Sequence, residues 1–184
     1  MTRKHAIIVL AEGFEEIEAV TPIDELRRAS IEVTVAGLGL QEIKSARGLV
    51  IKTDKLLEEC GELPDVFILP GGPGAEVLGK SEIVKKFLQR MKESDKFIAA
   101  ICAAPALVLG HHGMLEGKKA TAYPGYEAQL GSTATFVDER VVRDGKIITS
   151  RGPGTSMDFS LAIMRVLVDE RTANVVAEKM LVKS

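Results

Sequence analysis

Short apolar runs alternate along the chain with segments in which apolar residues recur at helical spacing, and Gly or Pro marks most of the joints. The runs predict six strands: Ala6–Leu10, Ile31–Ala36, Leu49–Lys52, Val66–Leu69, Phe97–Ile101 and Ala120–Ala122. Several of these runs are apolar on both faces, which is typical of a parallel sheet covered by helices on both sides.

The segments with helical spacing predict five helices: Glu15–Ala29, Ser81–Lys92, Ala103–Leu109, Thr155–Val168 and Thr172–Leu181. The first helix places four apolar residues on one side: Ile17, Val20, Ile23 and Leu26. Pro22 is predicted to kink this helix or to restart it, because proline cannot donate the helical hydrogen bond. Ser81 is a good N-cap for the second helix.

Near the end of the chain, residues 140–150 predict a β-hairpin with Asp144-Gly145 as its two-residue turn. Strands that alternate with helices in this way predict an α/β fold, a three-layer α/β/α sandwich around a mostly parallel sheet. With no internal repeat or linker, residues 1–184 are expected to form a single domain.

Composition and charge narrow the classes of function. The chain is 46% hydrophobic and 27% charged, as in globular proteins, and its net charge is -2. Basic residues are scattered among acidic ones, so we expect neither a nucleic acid nor a membrane surface as a partner. The apolar run at the N-terminus is too short for a signal sequence or a membrane span. Cys60 and Cys102 have no CxxC spacing, so reduced thiols and a cytoplasmic location are expected.

Cys102 is the first candidate for chemistry. It comes at the point where a predicted strand gives way to a predicted helix, with the small residues Ala100 and Ala104 two positions away on either side. A nucleophile elbow needs small residues at these positions. A position just before a helix is also expected to lower the thiol pKa. A small buried residue in a core turn would show the same pattern, so the pattern alone leaves both interpretations open.

A glycine-rich turn follows the fourth predicted strand at the same edge of the sheet. Gly71 and Gly72 are expected to aim backbone N–H groups towards Cys102 and, with the N–H of Ala103, to form an oxyanion hole. The spacing of the turn matches neither the dinucleotide-binding nor the P-loop motif. Taken alone, such a turn is more often structural than catalytic.

Four glutamates follow the first predicted strand. Glu18 is next to the apolar stripe of the first helix, so it is expected to point partly inwards with a raised pKa suited to acid–base work. Glu12, Glu15 and Glu16 are interpreted as acids that favour a helix N-terminus. His111 and His112 are about two turns beyond Cys102 and have no candidate metal partners, and Cys60 is interpreted as a bystander.

Several segments together resemble the ThiJ/PfpI superfamily, in the branch that contains the parkinsonism-linked protein deglycase and its bacterial relatives. These segments are VLAEGFEEIEAVTPIDELRRA, VTVAGL, DVFILPGGPGA, AAICAAPALVL and ITSRGPGTSMDFSLAI, in order along nearly the whole chain. The resemblance implies a flavodoxin-like sandwich and a homodimer.

The resemblance also implies roles for individual residues. Cys102 matches the reactive, oxidation-prone cysteine, and Glu18 matches the acid that hydrogen-bonds to it and stabilises its thiolate and sulfinate forms. Gly71, Gly72 and Ala103 match the backbone donors around that site. Arg47 aligns with an arginine that reaches the neighbouring subunit, and "LRRA", with Arg27 and Arg28, falls on the dimer face.

Two positions depart from the patterns of the superfamily. Protease-like members have a histidine directly after the cysteine, and Ala103 in its place argues against a peptidase. The animal deglycase has a histidine before a proline near the site, whereas this chain has Tyr123 before Pro124. Tyr123 is therefore expected to line the site and to act only as a hydrogen-bond donor.

The leading hypothesis is an enzyme that acts on 2-oxoaldehydes such as methylglyoxal, either free or as early adducts on protein amines and thiols. It needs no metal, nicotinamide or other cofactor, and its Cys102 adds to the aldehyde while Glu18 moves the proton. The alternative hypothesis is a redox sensor or stress-protective binding protein whose Cys102 is oxidised to sulfinate. The sequence alone does not separate the two.

Overall fold

The computed structural model describes residues 3–182, which contain eleven strands and five α-helices. The strands are β1 His5–Leu10, β2 Glu32–Gly37, β3 Glu42–Lys44, β4 Val50–Lys52, β5 Lys55–Leu56, β6 Val66–Leu69, β7 Phe97–Ile101, β8 Lys119–Ala120, β9 Thr135–Phe136, β10 Val141–Asp144 and β11 Ile147–Ser150. The α-helices are α1 Glu16–Arg28, α2 Gly74–Gly79, α3 Glu82–Glu93, α4 Ser156–Leu167 and α5 Glu170–Lys179. A π-helix spans Pro105–Gly110.

Seven strands form the main sheet in the order β10-β11-β7-β6-β1-β2-β5. Every neighbouring pair is parallel except β10 with β11, which places one antiparallel strand at an edge. Helices α1, α4 and α5 pack together, as do α2, α3 and the π-helix. The predicted α/β sandwich with a mostly parallel, flavodoxin-like sheet is therefore confirmed.

The central strands form the core, and their order places the site. All four residues of β6 are buried, as are Ala6–Leu10 of β1. The chain leaves β1 for β2 on one side and later returns to β6 on the other side. The carboxyl ends of β1, β6 and β7 therefore meet at the point where the strand order reverses, which is where open α/β sheets bind ligands.

Two predictions about α1 are wrong. Pro22 lies inside one continuous helix, so it does not restart the helix. The buried face carries Glu18, Pro22 and Glu25, whereas Ile17 and Val20 are 52% and 43% exposed. An apolar stripe was a poor guide here because the buried face of α1 includes two glutamates.

Smaller differences concern strands and turns. The predicted strand Leu49–Lys52 is β4, which pairs only with β3 in a separate two-stranded ribbon, and β8 pairs with β9 outside the main sheet. The hairpin turn is Gly145-Lys146, one residue later than predicted, because Asp144 still pairs with Ile147. The prediction for α3 is confirmed, since the Ser81 hydroxyl accepts from the Val84 amide at 3.3 Å.

Candidate active site

Cys102 lies in a sharp turn directly after β7. Its φ is +67°, in the left-handed region that few residues other than glycine adopt. Two backbone hydrogen bonds fix this conformation: the Cys102 amide donates to the Ser150 carbonyl at 2.9 Å, and its carbonyl accepts from the Tyr123 amide at 2.8 Å. Ala100 and Ala104 are fully buried, so larger side chains would not fit. The strained geometry holds the thiol at the carboxyl edge of the sheet.

The segment after Cys102 differs from the prediction. The predicted helix Ala103–Leu109 is a π-helix of six residues that starts only at Pro105. Cys102 is therefore three residues before the π-helix, and the lowering of its pKa by the Ala103 N–H is outweighed by burial and by Glu18.

Glu18 reaches the thiol from α1. It is the third residue of the helix, and its exposed fraction is zero. The carboxylate of Glu15, the N-cap, accepts from the Glu18 amide at 2.9 Å and so fixes the first turn. The Glu18 carboxyl lies beside the Cys102 thiol, where each group shifts the pKa of the other, and its Oε2 accepts from the Gly71 amide at 2.8 Å. The inward orientation expected for Glu18 is thus complete rather than partial.

Burial changes the acidity of both groups. Burial raises the pKa of Glu18 to about 7, against smaller lowering by the hydrogen bonds from Cys102 and Gly71. Burial, together with the negative charge and hydrogen bond of ionised Glu18, raises the pKa of Cys102 to about 12. The prediction that the pKa of the Cys102 thiol is lowered is therefore wrong when Glu18 is ionised. One proton is shared between the two side chains, and at neutral pH it resides on sulfur whenever Glu18 is ionised.

Gly71 is wedged between these two side chains. A Cβ at this position would lie 2.6 Å from the Cβ of Cys102 and 2.7 Å from Oε2 of Glu18. Its N–H is engaged by Glu18 and does not point at the sulfur. The N–H groups of Gly72 and Ala103 do face the sulfur, where hydrogen bonding from each lowers the pKa of Cys102. The N–H of Gly71 therefore binds the Glu18 carboxyl, whereas the N–H groups of Gly72 and Ala103 face the Cys102 thiol.

The opposite wall of the site is formed by Tyr123 and by the turn that follows β11. A Cβ on Gly152 would lie 3.0 Å from the Tyr123 ring and 4.0 Å from Oε1 of Glu18. This Oε1 has no hydrogen-bond partner among residues 3–182. The hydroxyl of Thr155 bonds to both the amide and the carbonyl of Gly152 and holds the turn. Tyr123 is 45% exposed, so its ring borders the mouth of the site.

Sequence reasoning missed the part that this turn plays. Gly152 was not among the predicted site residues. The signal that could have identified it was its position, because Gly152 follows a strand of the same parallel sheet and so belongs to the same edge as Cys102.

Arg47 lies near the site without bonding to either reactive side chain. It is exposed, and its charge makes a small contribution that lowers the pKa of Glu18. Glu16 anchors its loop, accepting from the Arg47 amide at 2.7 Å and from the Ser45 hydroxyl. Glu12 likewise accepts from the Lys44 amide at 2.8 Å. Glu12 and Glu16 therefore fix the segment before β4, which is more than the helix-end role expected of them.

The remaining candidates lie away from Cys102. The rings of His111 and His112 are 4.9 Å apart at the end of the π-helix, and burial, followed by the charge of His111, lowers the pKa of His112. The Cys60 thiol donates to the Leu56 carbonyl at 3.5 Å, and burial raises its pKa.

Residues 3–182 contain neither a cluster suited to a metal ion nor a helix suited to a membrane. No cluster of three or more His, Cys, Asp or Glu side chains suits a metal ion. No helix within that range combines the length and apolar character needed to cross a bilayer.

Comparison with known proteins gives consistent matches over nearly the whole chain. The sequence model of the DJ-1/PfpI family matches residues 4–166. Protein dj-1beta of Drosophila melanogaster is 43% identical over 183 residues, covering 97% of each chain. The crystal structure of the Drosophila protein superposes with a TM-score of 0.96 at 41% identity and full coverage of both chains.

One similar protein is named for an activity. The glutathione-independent glyoxalase DJR-1.2 of Caenorhabditis elegans is 32% identical over 174 residues, which cover 94% of this chain and 93% of that protein.

Proposed function

This chain belongs to the DJ-1/PfpI family, and we propose that it is a cofactor-independent, cysteine-dependent enzyme that acts on reactive 2-oxoaldehydes. The observation that carries the proposal is the buried pair of Cys102 and Glu18, in which a thiol lies beside a carboxyl whose pKa is raised to about 7. A nucleophile beside a base whose pKa is near neutrality is the arrangement needed for addition to a carbonyl. The name of the C. elegans relative supports the same class of substrate.

In the first step the Cys102 sulfur attacks the aldehyde carbon of methylglyoxal while the Glu18 carboxylate takes the thiol proton. The resting thiol has a high pKa, so removal of its proton has to accompany the attack. The carbonyl oxygen becomes an oxyanion beside the N–H groups of Gly72 and Ala103. Glu18 then returns the proton to this oxygen, which gives a hemithioacetal and regenerates the carboxylate.

In the second step the Glu18 carboxylate removes the hydrogen from the carbon bonded to sulfur and delivers it to the neighbouring ketone carbon, while the hydroxyl proton of the hemithioacetal passes to the former ketone oxygen. The electron pair of the broken C–H bond passes through an enediolate, so the product is a thioester of a 2-hydroxy acid. Water hydrolyses this thioester, releases the 2-hydroxy acid and restores the Cys102 thiol. The net change is addition of one water to one methylglyoxal, and no external oxidant or reductant is consumed.

The same chemistry extends to early adducts of the aldehyde with protein amines or thiols, because these still contain a hemiaminal or hemithioacetal carbon. Deglycation of such adducts is the second part of the proposed activity. The site suits small acceptors, since Cys102 is only 8% exposed and glycine backbone and Tyr123 border it. The reaction needs a free thiol at Cys102, so we infer a reducing compartment such as the cytoplasm.

The direct test is formation of 2-hydroxy acid from methylglyoxal by metal-free protein. Wild type is expected to form product, and Cys102→Ser to form none above background. Cys60→Ser is the matched control, because Cys60 is buried but lies away from the site, and it is expected to retain activity. Equal product from wild type and Cys102→Ser would refute a role for the elbow thiol.

A second candidate function is redox sensing through oxidation of Cys102. The observation that favours it is the free Oε1 of Glu18, which when protonated is a donor for a sulfinate oxygen held beside Gly72 and Ala103. Treatment with peroxide followed by intact-mass measurement distinguishes the functions. A gain of two oxygens on Cys102 in a protein with no aldehyde turnover would favour the sensor.

We also propose that the active form is a homodimer. Ile17 and Val20 form an exposed apolar strip on α1, and Leu49 and Val50 are exposed beside the loop that Glu16 anchors to the same helix. Arg47 lies in that loop, which would bring it towards a neighbouring copy. Sedimentation of wild type is expected to give a dimer and Val50→Glu a monomer; a monomeric wild type would contradict this arrangement.

A further inference from the structure

Glu25 is a second fully buried carboxyl on α1, and the proposed chemistry does not use it. Its exposed fraction is zero, and neither carboxyl oxygen has a hydrogen-bond partner among residues 3–182. It is seven residues after Glu18, two turns further along the same buried face. An ionised carboxyl buried without partners is strongly unfavourable. The Glu25 carboxyl must therefore either stay protonated or have a positive charge close to it.

The element opposite Glu25 offers hydroxyl groups and no cation. Helix α4 packs against α1, and it carries Ser156 and Ser160 one turn apart. The Ser160 hydroxyl lies close enough to Glu25 to influence its pKa, and it donates to the Ser156 carbonyl at 2.9 Å. The Ser156 hydroxyl is also buried without a partner. Two serines and one carboxyl thus form a polar cluster inside an otherwise apolar contact.

The charged groups around this cluster are already paired with one another. On α1, Arg28 is bound to Asp24 at 2.8 Å, and on α4, Asp158 is bound to Arg140 at 2.5 Å. On the strands that pack against α1, His5 bonds to the Thr34 hydroxyl and Glu32 is exposed. Burial raises the pKa of Glu25 to about 7, with smaller opposite effects from Ser160 and Arg28. Among the described cations, only Arg28 favours an ionised Glu25, and its effect is the smallest because it is bound to Asp24.

We propose that Glu25 is a proton-dependent latch between α1 and α4. The neutral carboxyl donates its proton to the Ser160 hydroxyl and holds the first turn of α4 against α1. Loss of the proton places a charge in that contact and loosens the first turn. The latch acts on structure, so the proposal does not depend on the aldehyde chemistry.

The latch is linked to the active site by the segment of the polypeptide that directly precedes α4. The turn Gly152–Thr155 directly precedes α4, and its glycine packs against Tyr123 and Glu18. Movement of the first turn of α4 would therefore move one wall of the site. Glu25 is accordingly a positioning residue, which acts on the site through α4 without touching the reacting atoms.

The sign of the pH effect follows from linkage. The pKa of Glu25 is higher in the folded than in the unfolded chain, so its stabilising contribution is complete below the unfolded pKa of 4.5 and is lost as pH rises through about 7. Glu18 titrates over the same range, but it is present in both wild type and Glu25→Gln and cancels in their difference. The Tm of Glu25→Gln minus that of wild type is expected to rise by about 5 °C between about pH 4.5 and pH 8.

Glu93→Gln is the control, because Glu93 is exposed at the end of α3, and its Tm difference from wild type is expected not to change with pH. At about pH 8, amide hydrogen exchange in residues 158–161 is expected to be faster in wild type than in Glu25→Gln, with α3 unchanged. A Tm difference that is the same at both pH values, or equal exchange at about pH 8, would overturn the latch.

If Glu25→Gln does not fold, the proposal can be tested on the wild-type protein instead. Carbon NMR of the Glu25 side-chain carboxyl, titrated in the native protein, is expected to give a midpoint well above that of Glu93. A midpoint within the ordinary range of glutamates, about 4 to 5, would also overturn the proposal.

Discussion

Glu18 and Glu25 lie on one face of one helix, are equally buried, and each has a pKa raised to about 7 by burial. They differ in what their carboxyl oxygens meet. Glu18 meets a thiol and a backbone amide at the open edge of the sheet, whereas Glu25 meets serine hydroxyls between two helices. The comparison shows that a raised pKa reports burial, while the neighbouring groups decide whether an acid can take part in chemistry.

The largest effect should come from exchanging each acid for its amide. Glu18→Gln is expected to lower the turnover of methylglyoxal by on the order of 1,000-fold, because the amide cannot accept the thiol proton. Glu25→Gln, measured at about pH 6, is expected to remain close to wild type because the latch is closed in both proteins. Circular dichroism checks that both variants fold. Normal turnover by Glu18→Gln would reduce Glu18 to a structural acid like Glu25.

A smaller loss is expected from separating Glu18 from its thiol without removing either group. The added methyl group in Gly71→Ala would lie within 3.0 Å of the Cys102 sulfur and closer still to Glu18, so the pair must move apart. We expect a loss of roughly 100-fold in turnover. Gly154→Ala is the control, since nothing lies within 4 Å of its added methyl group. Equal activity of the two variants would show that contact between Cys102 and Glu18 is unnecessary.

The smallest expected effect is on the free energy of unfolding, and it comes from removing the Ser160 hydroxyl near Glu25. Ser160→Ala removes the hydroxyl that receives the Glu25 proton and is expected to lower the free energy of unfolding by about 1 kcal/mol, with turnover retained at about pH 6. Urea unfolding measures the change, and Ser94→Ala, at the exposed end of α3, is the control. A loss no greater than that of Ser94→Ala would mean that Ser160 does not serve Glu25.

The sheet could be predicted from the sequence because its central strands are buried on both faces and read as continuous apolar runs. The short strands β3, β5 and β9 were missed, since two or three residues are too few to show a period. Cys102, Glu18 and the glycine turn could be proposed because the carboxyl ends of parallel strands meet at one edge.

The raised pKa of Glu18 could be predicted from the sequence, but the direction of the pKa shift at Cys102 could not. The sign of the shift at Cys102 depends on how deeply the thiol is buried and on a carboxyl 84 positions away in the chain, and neither is a local property. Glu25 shows the same limit, because local spacing predicted an apolar stripe on α1, whereas the face that the fold buries includes Glu18 and Glu25. Tertiary contacts decided both outcomes.

The central claim is that the Glu18 carboxylate accepts the thiol proton, and the pH dependence of kcat/KM for methylglyoxal tests it most directly. Protonation below the Glu18 pKa of about 7 removes the base, so kcat/KM of wild type is expected to fall about tenfold per pH unit below pH 7 and to level off above it. Glu18→Gln is expected to lack this limb. An identical limb in wild type and Glu18→Gln would contradict the account, because some other group would then control the proton of Cys102.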